Sequence, residues 1–330
     1  MTISGRSSAY LIAEIGINHG GSVHTCSEMI RAAADSGADA VKLQTVDADK
    51  NYAINTESYK VYKECELTRH QTAQMFSLAN KLNIGVFSTV GDLETVHWVN
   101  ELDPVAWKIS SGLLTHIPLI HELTQFGKTL FMSTGMASKL EIDHAVKAAT
   151  DNNSVEVILF QCTSIYPTPN HMLNLRAIRW MEKEYNLPVG FSDHSVNKNV
   201  SGLAIAAGAI AIEKHFTLDT SLPGLDHSIS ANPAGFKEMV VNVRAIEAMM
   251  GRPGKTVSAP LRNVRKKMLR SVVSAGPLRK GHTLRLADLA VKRTHSDHKG
   301  IKPELTEKVI GRKINTALRL DDPITLDLLE

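Results

Sequence analysis

From the N-terminus to about residue 216 the chain repeats one pattern: a short apolar run ending in polar residues, then an amphipathic stretch. The runs are Tyr10–Ile15, Ala40–Leu43, Gly85–Phe87, Ala106–Ile109, Leu130–Met132, Val155–Phe160, Val189–Phe191 and Ile210–Ile212. Between them, Cys26–Ser36, Ala73–Leu82, Leu140–Ala149 and Leu173–Tyr185 space their apolar residues as helices do, and the small-residue segment Val200–Ala207 also reads as helix. Strands alternating with helices predict a parallel sheet. Eight such units predict a closed (β/α)8 TIM barrel, completed by a helix over about Pro233–Met250.

Two segments interrupt this rhythm. Val46–Thr68 is longer than an ordinary strand-to-helix loop and carries Tyr52, Tyr59 and Tyr62, which predicts a partial lid. Gly251-Arg252-Pro253-Gly254 is a strong break. The texture then changes to short strands and turns, marked by Gly276-Pro277, Lys280-Gly281-His282 and Leu286-Ala287-Asp288-Leu289. The expected organisation is a barrel over 1–254, a polar linker over 255–275 and a small, mostly β domain over 276–330. A domain of ~55 residues buries little core alone, so it is expected to lean on the barrel or on a second subunit.

Composition adds mainly exclusions. Hydrophobic residues make up 43% and charged residues 22% of the 330, with no apolar run long enough to span a membrane. Met1 to Ser8 lack the apolar core of a signal peptide, so a cytoplasmic location is expected. Cys26, Cys65 and Cys162 are scattered, which fits neither a disulfide framework nor a zinc knuckle. The net charge of +3 does not by itself imply nucleic-acid binding. From Leu261 onward there are 16 Lys/Arg against 8 Asp/Glu. This basic tail lacks interleaved aromatic platforms, so an anionic small substrate or a solvated face is the preferred reading.

In such barrels the chemistry comes from the C-terminal ends of the strands. Those ends read Glu14 and Asn18; Lys42 and Gln44; Ser88 and Thr89; Lys108, Ser110 and Ser111; Ser133 and Thr134; Gln161 and Thr163; Ser192, Asp193 and His194; Glu213, Lys214 and His215. Positions i and i+2 share a face, so Lys42 pairs with Gln44, Ser192 with His194, and Glu213 with His215. His194 and His215 end consecutive strands, and Glu14 lies on the first strand, which closes against the eighth. Two neutral imidazoles near a carboxylate suit a divalent transition metal. Lys42 and Lys108, with the hydroxyls of Thr89, Ser111, Ser133 and Ser192, describe a pocket for a compact anion such as a phosphate-plus-carboxylate ligand.

These residues also carry a family resemblance. The blocks from Ala13 to Gly21, Val41 to Thr45, Trp107 to Gly112, Ser133 to Met136, Cys162 to Pro167, Phe191 to His194, Ile212 to Thr217 and Pro223 to His227 resemble the sialic acid synthase family. The C-terminal part, with Leu269-Arg270-Ser271 before it and Val291-Lys292-Arg293 within it, resembles that family's antifreeze-like (SAF) domain. The resemblance implies that phosphoenolpyruvate binds Lys42, Thr89, Lys108, Ser111, Ser133 and Ser192. It implies manganese, or magnesium, on His194 and His215, and Glu14 beside the metal as acid/base. Gln44, Tyr166, Asp226 and Arg293 would meet an amino-sugar aldehyde such as N-acetylmannosamine. The implied assembly is a domain-swapped homodimer in which each small domain covers its partner's site.

Two departures bear on the sugar. Leu113 stands where the family usually has an acidic residue, and Phe87-Ser88-Thr89 continues Val90-Gly91 rather than with proline and an aromatic. Losing a carboxylate that pairs with a sugar hydroxyl costs affinity for that sugar. A legionaminic- or pseudaminic-type synthase, or a non-catalytic sugar-binding relative, are the alternatives; the presence of Glu14, Lys42, His194 and His215 argues against the latter.

Overall fold

A computed structural model describes residues 2–151, 155–295 and 299–330. The chain divides into two compact units, one ending at Gly251 and the other spanning Arg252–Glu330.

The first unit opens with β1 (Tyr10–Gly16), α1 (Val23–Asp35), β2 (Ala40–Gln44), α2 (Ala48–Asn51), α3 (Glu57–Cys65) and α4 (Arg69–Lys81). It continues with β3 (Gly85–Thr89), α5 (Leu93–Asn100), β4 (Ala106–Ile109), α6 (Ile117–Thr124), β5 (Thr129–Ser133) and α7 (Lys139–Thr150). It ends with β6 (Val157–Gln161), α8 (Arg176–Tyr185), β7 (Val189–Asp193), α9 (Val200–Ala206), β8 (Ala211–His215) and α10 (Pro233–Met250). Among the described residues eight parallel strands pair in sequence order, and β8 closes onto β1 with Glu14 opposite His215. The expected TIM barrel is the fold. Polar residues at the right places start its helices: Thr68 and Ser138 each form a reciprocal capping box, with Gln71 and Glu141 respectively.

Alternation along the strands sorts the core into two layers. Leu11, Ala13, Val41, Val86, Trp107, Leu130, Leu159 and Ile212 face outward and pack against the helices. Tyr10, Ile12, Ala40, Phe87, Ala106, Phe131, Ile158, Phe160 and Ala211 face inward and fill the barrel. The barrel is therefore a plugged cylinder, and the next inward positions toward the C-terminal ends of the strands are polar: Glu14, Lys42, Thr89, Lys108, Ser133, Ser192 and Glu213.

Two expectations change. Val46–Thr68 is not a loop but holds α2 and α3, each begun by a side-chain cap, Asp47 and Thr56. The span 255–275, read as linker, holds the exposed helix α11 (Ala259–Met268) and β9 (Ser271–Ser274). β9 pairs antiparallel with β10 (Leu289–Lys292), so the small domain's sheet starts ahead of residue 276. Val272, Leu284, Ile301, Val309, Ile314, Leu318, Ile324 and Leu329 form the second unit's own core. No helix among the described residues is long and apolar enough to cross a membrane.

Candidate active site

The polar inward layer of the barrel is a buried charge cluster. Lys42 Nζ lies 3.3 Å from Glu14 Oε2 and 3.2 Å from Glu213 Oε2, and Lys108 Nζ lies 3.0 Å from the same Glu213 oxygen. Ser192 Oγ donates to the other Glu213 oxygen at 3.0 Å, and Lys42 also donates to Thr89 Oγ1 at 3.4 Å. Lys108 is 1% exposed and sits 4.0 Å from the centre of the Phe160 ring. Ion pairs this deep must be well satisfied, because desolvation costs several kcal/mol per charge. Glu213 provides that satisfaction. Its i,i+2 relation to His215 places Glu213 on the inward face, but spacing along one strand does not name its partners.

The cluster tunes its carboxylates apart. Burial pushes the Glu14 carboxyl up to about 7, against the pull of Lys42. Burial acts the same way on Glu213, but Lys108 and Lys42 together outweigh it and hold that carboxyl well below the usual range. Burial pulls the Lys108 ammonium down, while Lys42, also penalised by burial, is held up by Glu14 and Glu213. The two buried carboxyls are thus pushed in opposite directions, Glu14 up and Glu213 down.

His194 and His215 stand beside this cluster, with ring centroids 5.6 Å apart. His194 Nδ1 lies 2.9 Å from the Thr163 carbonyl oxygen, which can only accept, so Nδ1 carries the proton and Nε2 keeps its lone pair. Nε2 is 3.2 Å from Ser192 Oγ and 3.4 Å from the Tyr166 hydroxyl. His215 Nδ1 is buried with no hydrogen-bond partner among the described residues, 3.8 Å from Asp226 Oδ2. Burial lowers both imidazoles, and for His215 the nearby His194 and Lys42 add to it. Neutral rings with an unshared lone pair and an orphaned buried nitrogen fit a divalent metal. Among the described residues no third His, Cys, Asp or Glu completes a protein ligand set, so water and substrate would fill the remaining positions.

Other sequence-predicted residues of the barrel lie beside this cluster or just past the strand ends. Gln44 donates to Glu14 Oε1 at 2.8 Å. Tyr166 packs its ring 4.4 Å from His194 and edge-on to His215. Ser111 lies just past β4, where its Oγ accepts from the Gly135 backbone N–H at 3.0 Å and lies 3.3 Å from Cys162 Sγ. Ser133 is buried at the end of β5. Arg293 belongs to the second unit, at the end of β10, with its side chain exposed.

Some strand-end residues point away. Asp193 and Lys214 alternate to the outer face, where Lys214 Nζ lies 3.5 Å from Asp193 Oδ2. They border a cavity of about 970 Å³ between α9 and α10, outside the barrel. Leu113 is half-buried and packs against the core between strands and helices. The Asn51 side chain of α2 occupies the space over Gly91, where any Cβ would collide with it. That contact accounts for a small residue after Thr89-Val90.

Residues 29–255 match the NeuB family and residues 270–330 the SAF domain, the latter beginning inside the span read as linker. The chain is 34% identical to the N,N'-diacetyllegionaminic acid synthase of Legionella pneumophila, over 94% of this chain and 91% of that protein. It is 30% identical to the N-acetylneuraminate-9-phosphate synthase of Mus musculus, over 99% of this chain and 94% of that one. A solved structure of an N-acetylneuraminic acid synthetase from Leptospira borgpetersenii, in complex with citrate, is similar with a TM-score of 0.75 and 31% identity, covering 79% of this chain and 92% of that chain.

Proposed function

The chain belongs to the NeuB family and ends in a SAF domain, and from that premise we propose that it condenses phosphoenolpyruvate with an N-acetylated amino-sugar aldehyde, releasing phosphate. The observation that carries this reading is the pair of buried lysines, Lys42 and Lys108, held on Glu213 within a ring of hydroxyls and beside two neutral histidines. A phosphate-plus-carboxylate ligand brings the negative charge that such a pocket is built to receive.

In the reaction, C3 of phosphoenolpyruvate bonds to the aldehyde carbon, whose oxygen gains a proton. Water adds to C2 and gives up one proton to balance that at the aldehyde oxygen; the bond from C2 to the phosphate oxygen then breaks, C2 becomes a carbonyl, and the second water proton leaves with the phosphate. Lys42, Lys108, Thr89, Ser111, Ser133 and Ser192 would hold the phosphate and carboxylate, and charge developing at C2 would be met by the fixed anion Glu213. Glu14, with its carboxyl near neutrality, would carry the proton between water and the aldehyde oxygen. His194 and His215 would hold Mn2+ or Mg2+, which when bound supplies Lewis-acid polarisation of the aldehyde. Gln44, Tyr166 and Asp226 would face the sugar. Arg293, on a small unit with a core of its own but little bulk, would reach the barrel of a partner in a homodimer.

The sugar itself has two readings. N-acetylmannosamine is the first. A legionaminic-type precursor, lacking a hydroxyl where Leu113 replaces an acid, is the second, and the Legionella relative favours it. Phosphate release from phosphoenolpyruvate against a panel of amino-sugar aldehydes tests both. Release with none of them would overturn the proposed activity. If N-acetylmannosamine is the best substrate and Leu113→Glu leaves its kcat/KM unaltered, the second reading fails.

A further inference from the structure

Two hydrogen bonds run from α3 down to Glu14. The Tyr62 hydroxyl donates to Gln44 Oε1 at 2.7 Å, and Gln44 Nε2 donates to Glu14 Oε1 at 2.8 Å. A carboxamide has chemically opposite ends. Turned over, Gln44 would set its carbonyl oxygen against the Glu14 carboxylate, two acceptors facing each other. The carboxylate, which only accepts, disfavours the turn, and the Tyr62 O–H, donating to the carbonyl oxygen, holds the same orientation from the far end.

That donor is held in place from several sides. The Tyr62 ring stacks on Tyr52 with centroids 4.8 Å apart and 29° between planes. Thr56 caps α3, and the Tyr59 hydroxyl and Lys63 both reach Asp49 on α2, at 2.7 and 2.8 Å. Glu66, just after α3, accepts from the Ala48 N–H that begins α2, at 2.6 Å. Asn51 of α2 sits over Gly91 and donates to Asp92 at 3.3 Å. Burial keeps the Tyr62 hydroxyl far above its ordinary acidity range, so it stays a donor.

We propose that Tyr62 is a positioning residue for Glu14: its O–H pins the Gln44 carboxamide with the NH2 end toward the carboxylate. Glu14 Oε1 is thereby held by Gln44. Oε2, which has no hydrogen-bond partner among the described residues, is left to face the reactants, 3.3 Å from Lys42. The inference rests on the reading of Glu14 as the acid–base group of the proposed reaction.

Tyr62→Phe removes only the hydroxyl and keeps the ring on Tyr52. The loss of one oriented hydrogen bond predicts a fall in kcat of about three- to tenfold. The KM for phosphoenolpyruvate and the KM for the sugar should stay within about twofold. In a Gln44→Met background, where no carboxamide remains to orient, adding Tyr62→Phe should change kcat no further. Tyr185→Phe, which removes a hydroxyl bonded to Asp143 of α7 and away from Gln44, should leave kcat unchanged. A second readout needs no turnover. In protein labelled with 15N-glutamine, the Gln44 side-chain NH2 signal, assigned by its loss in Gln44→Met, should exchange slowly with water in the parent and faster in Tyr62→Phe. Unchanged kcat and unchanged exchange in Tyr62→Phe would overturn the proposal. So would additive effects of the two substitutions, or a raised sugar KM at constant kcat, which would make Tyr62 a substrate contact instead. If the parent protein turns over no amino sugar while the exchange result holds, it is the proposed reaction that fails, and the orientation of Gln44 by Tyr62 stands.

Discussion

Lys42 and Lys108 come from β2 and β4, yet both end on one oxygen of Glu213 from β8. Each ammonium is almost fully buried. Replacing either by alanine removes a charge-assisted contact, which predicts weaker phosphoenolpyruvate binding by about 2 kcal/mol, roughly thirtyfold. Calorimetry decides this; unchanged affinity in both Lys42→Ala and Lys108→Ala would remove the phosphoenolpyruvate assignment. Glu14 makes a different prediction, in the pH dependence of stability. Its carboxyl rises from 4.5 to about 7 on folding, chiefly through burial. Between those values the folded state binds more protons than the unfolded one, so stability contributed by this group is lost as pH rises through the window. Glu14→Gln abolishes that titration. The Tm of the variant relative to the parent should therefore be higher at pH 8 than at pH 5; no difference would show that Glu14 ionises at little cost, and the opposite ordering that folding favours its ionised form. The two histidines, neutral for the same reason of burial, predict that exhaustive chelation abolishes phosphate release and that Mn2+ restores it. Full turnover after chelation would refute a metal on His194 and His215.

At the scale of elements, β7 shows how backbone and site are joined. Gly190 lies on its inward face, and a Cβ there would sit 2.7 Å from the Phe160 ring, the same ring that underlies Lys108 at 4.0 Å. Gly190→Ala should overpack the barrel at a cost of about 1–3 kcal/mol, lowering the Tm. It should also weaken phosphoenolpyruvate binding by moving the support of Lys108. Neither effect would appear if the ring had room to slide. The eight strands were legible in the sequence because each is buried on both faces and so reads as an apolar run closed by polar residues. The inward set was legible too, since i,i+2 spacing carries His194 with Ser192 and His215 with Glu213. The α2–α3 segment was not, for a physical reason: α2 and α3 are only four and nine residues long and every residue of α3 is at least partly exposed, too short and too exposed to stand out from a long connection. The same holds for α11, where every residue is exposed and only Ser258 and Pro260 signal a start. The role of Glu213 was hidden because pairing across a barrel depends on strand tilt and side-chain length, which spacing along one strand does not encode. Tyr62 stands out in the sequence as an aromatic in a long segment, but its bond to Gln44 depends on where α3 lies against β2, which the sequence does not encode.

At the scale of the molecule the open proposal is that Arg293 serves a partner's barrel. Among the described residues its unit has its own apolar core and a two-stranded sheet, and Arg293, just past β10, is exposed. A guanidinium in that position offers rigid donors to a sugar acyl group or to nearby negative charge, provided another surface supplies the site. Subunit mixing separates action within one chain from action across two. His194→Ala disables a barrel but keeps its arginine, and Arg293→Ala keeps the barrel but loses the arginine. In a mixed C2 dimer that works across subunits, the intact barrel of the second variant receives the intact arginine of the first, while the other site lacks both. Random reassociation of equal amounts places half of the chains in mixed dimers, so about a quarter of the sites should recover. If each arginine serves its own barrel, no site in the mixture is ever complete. Recovery near a quarter, measured as phosphate release after verified exchange of differently tagged subunits, supports the partner arrangement; no recovery with exchange verified rules it out.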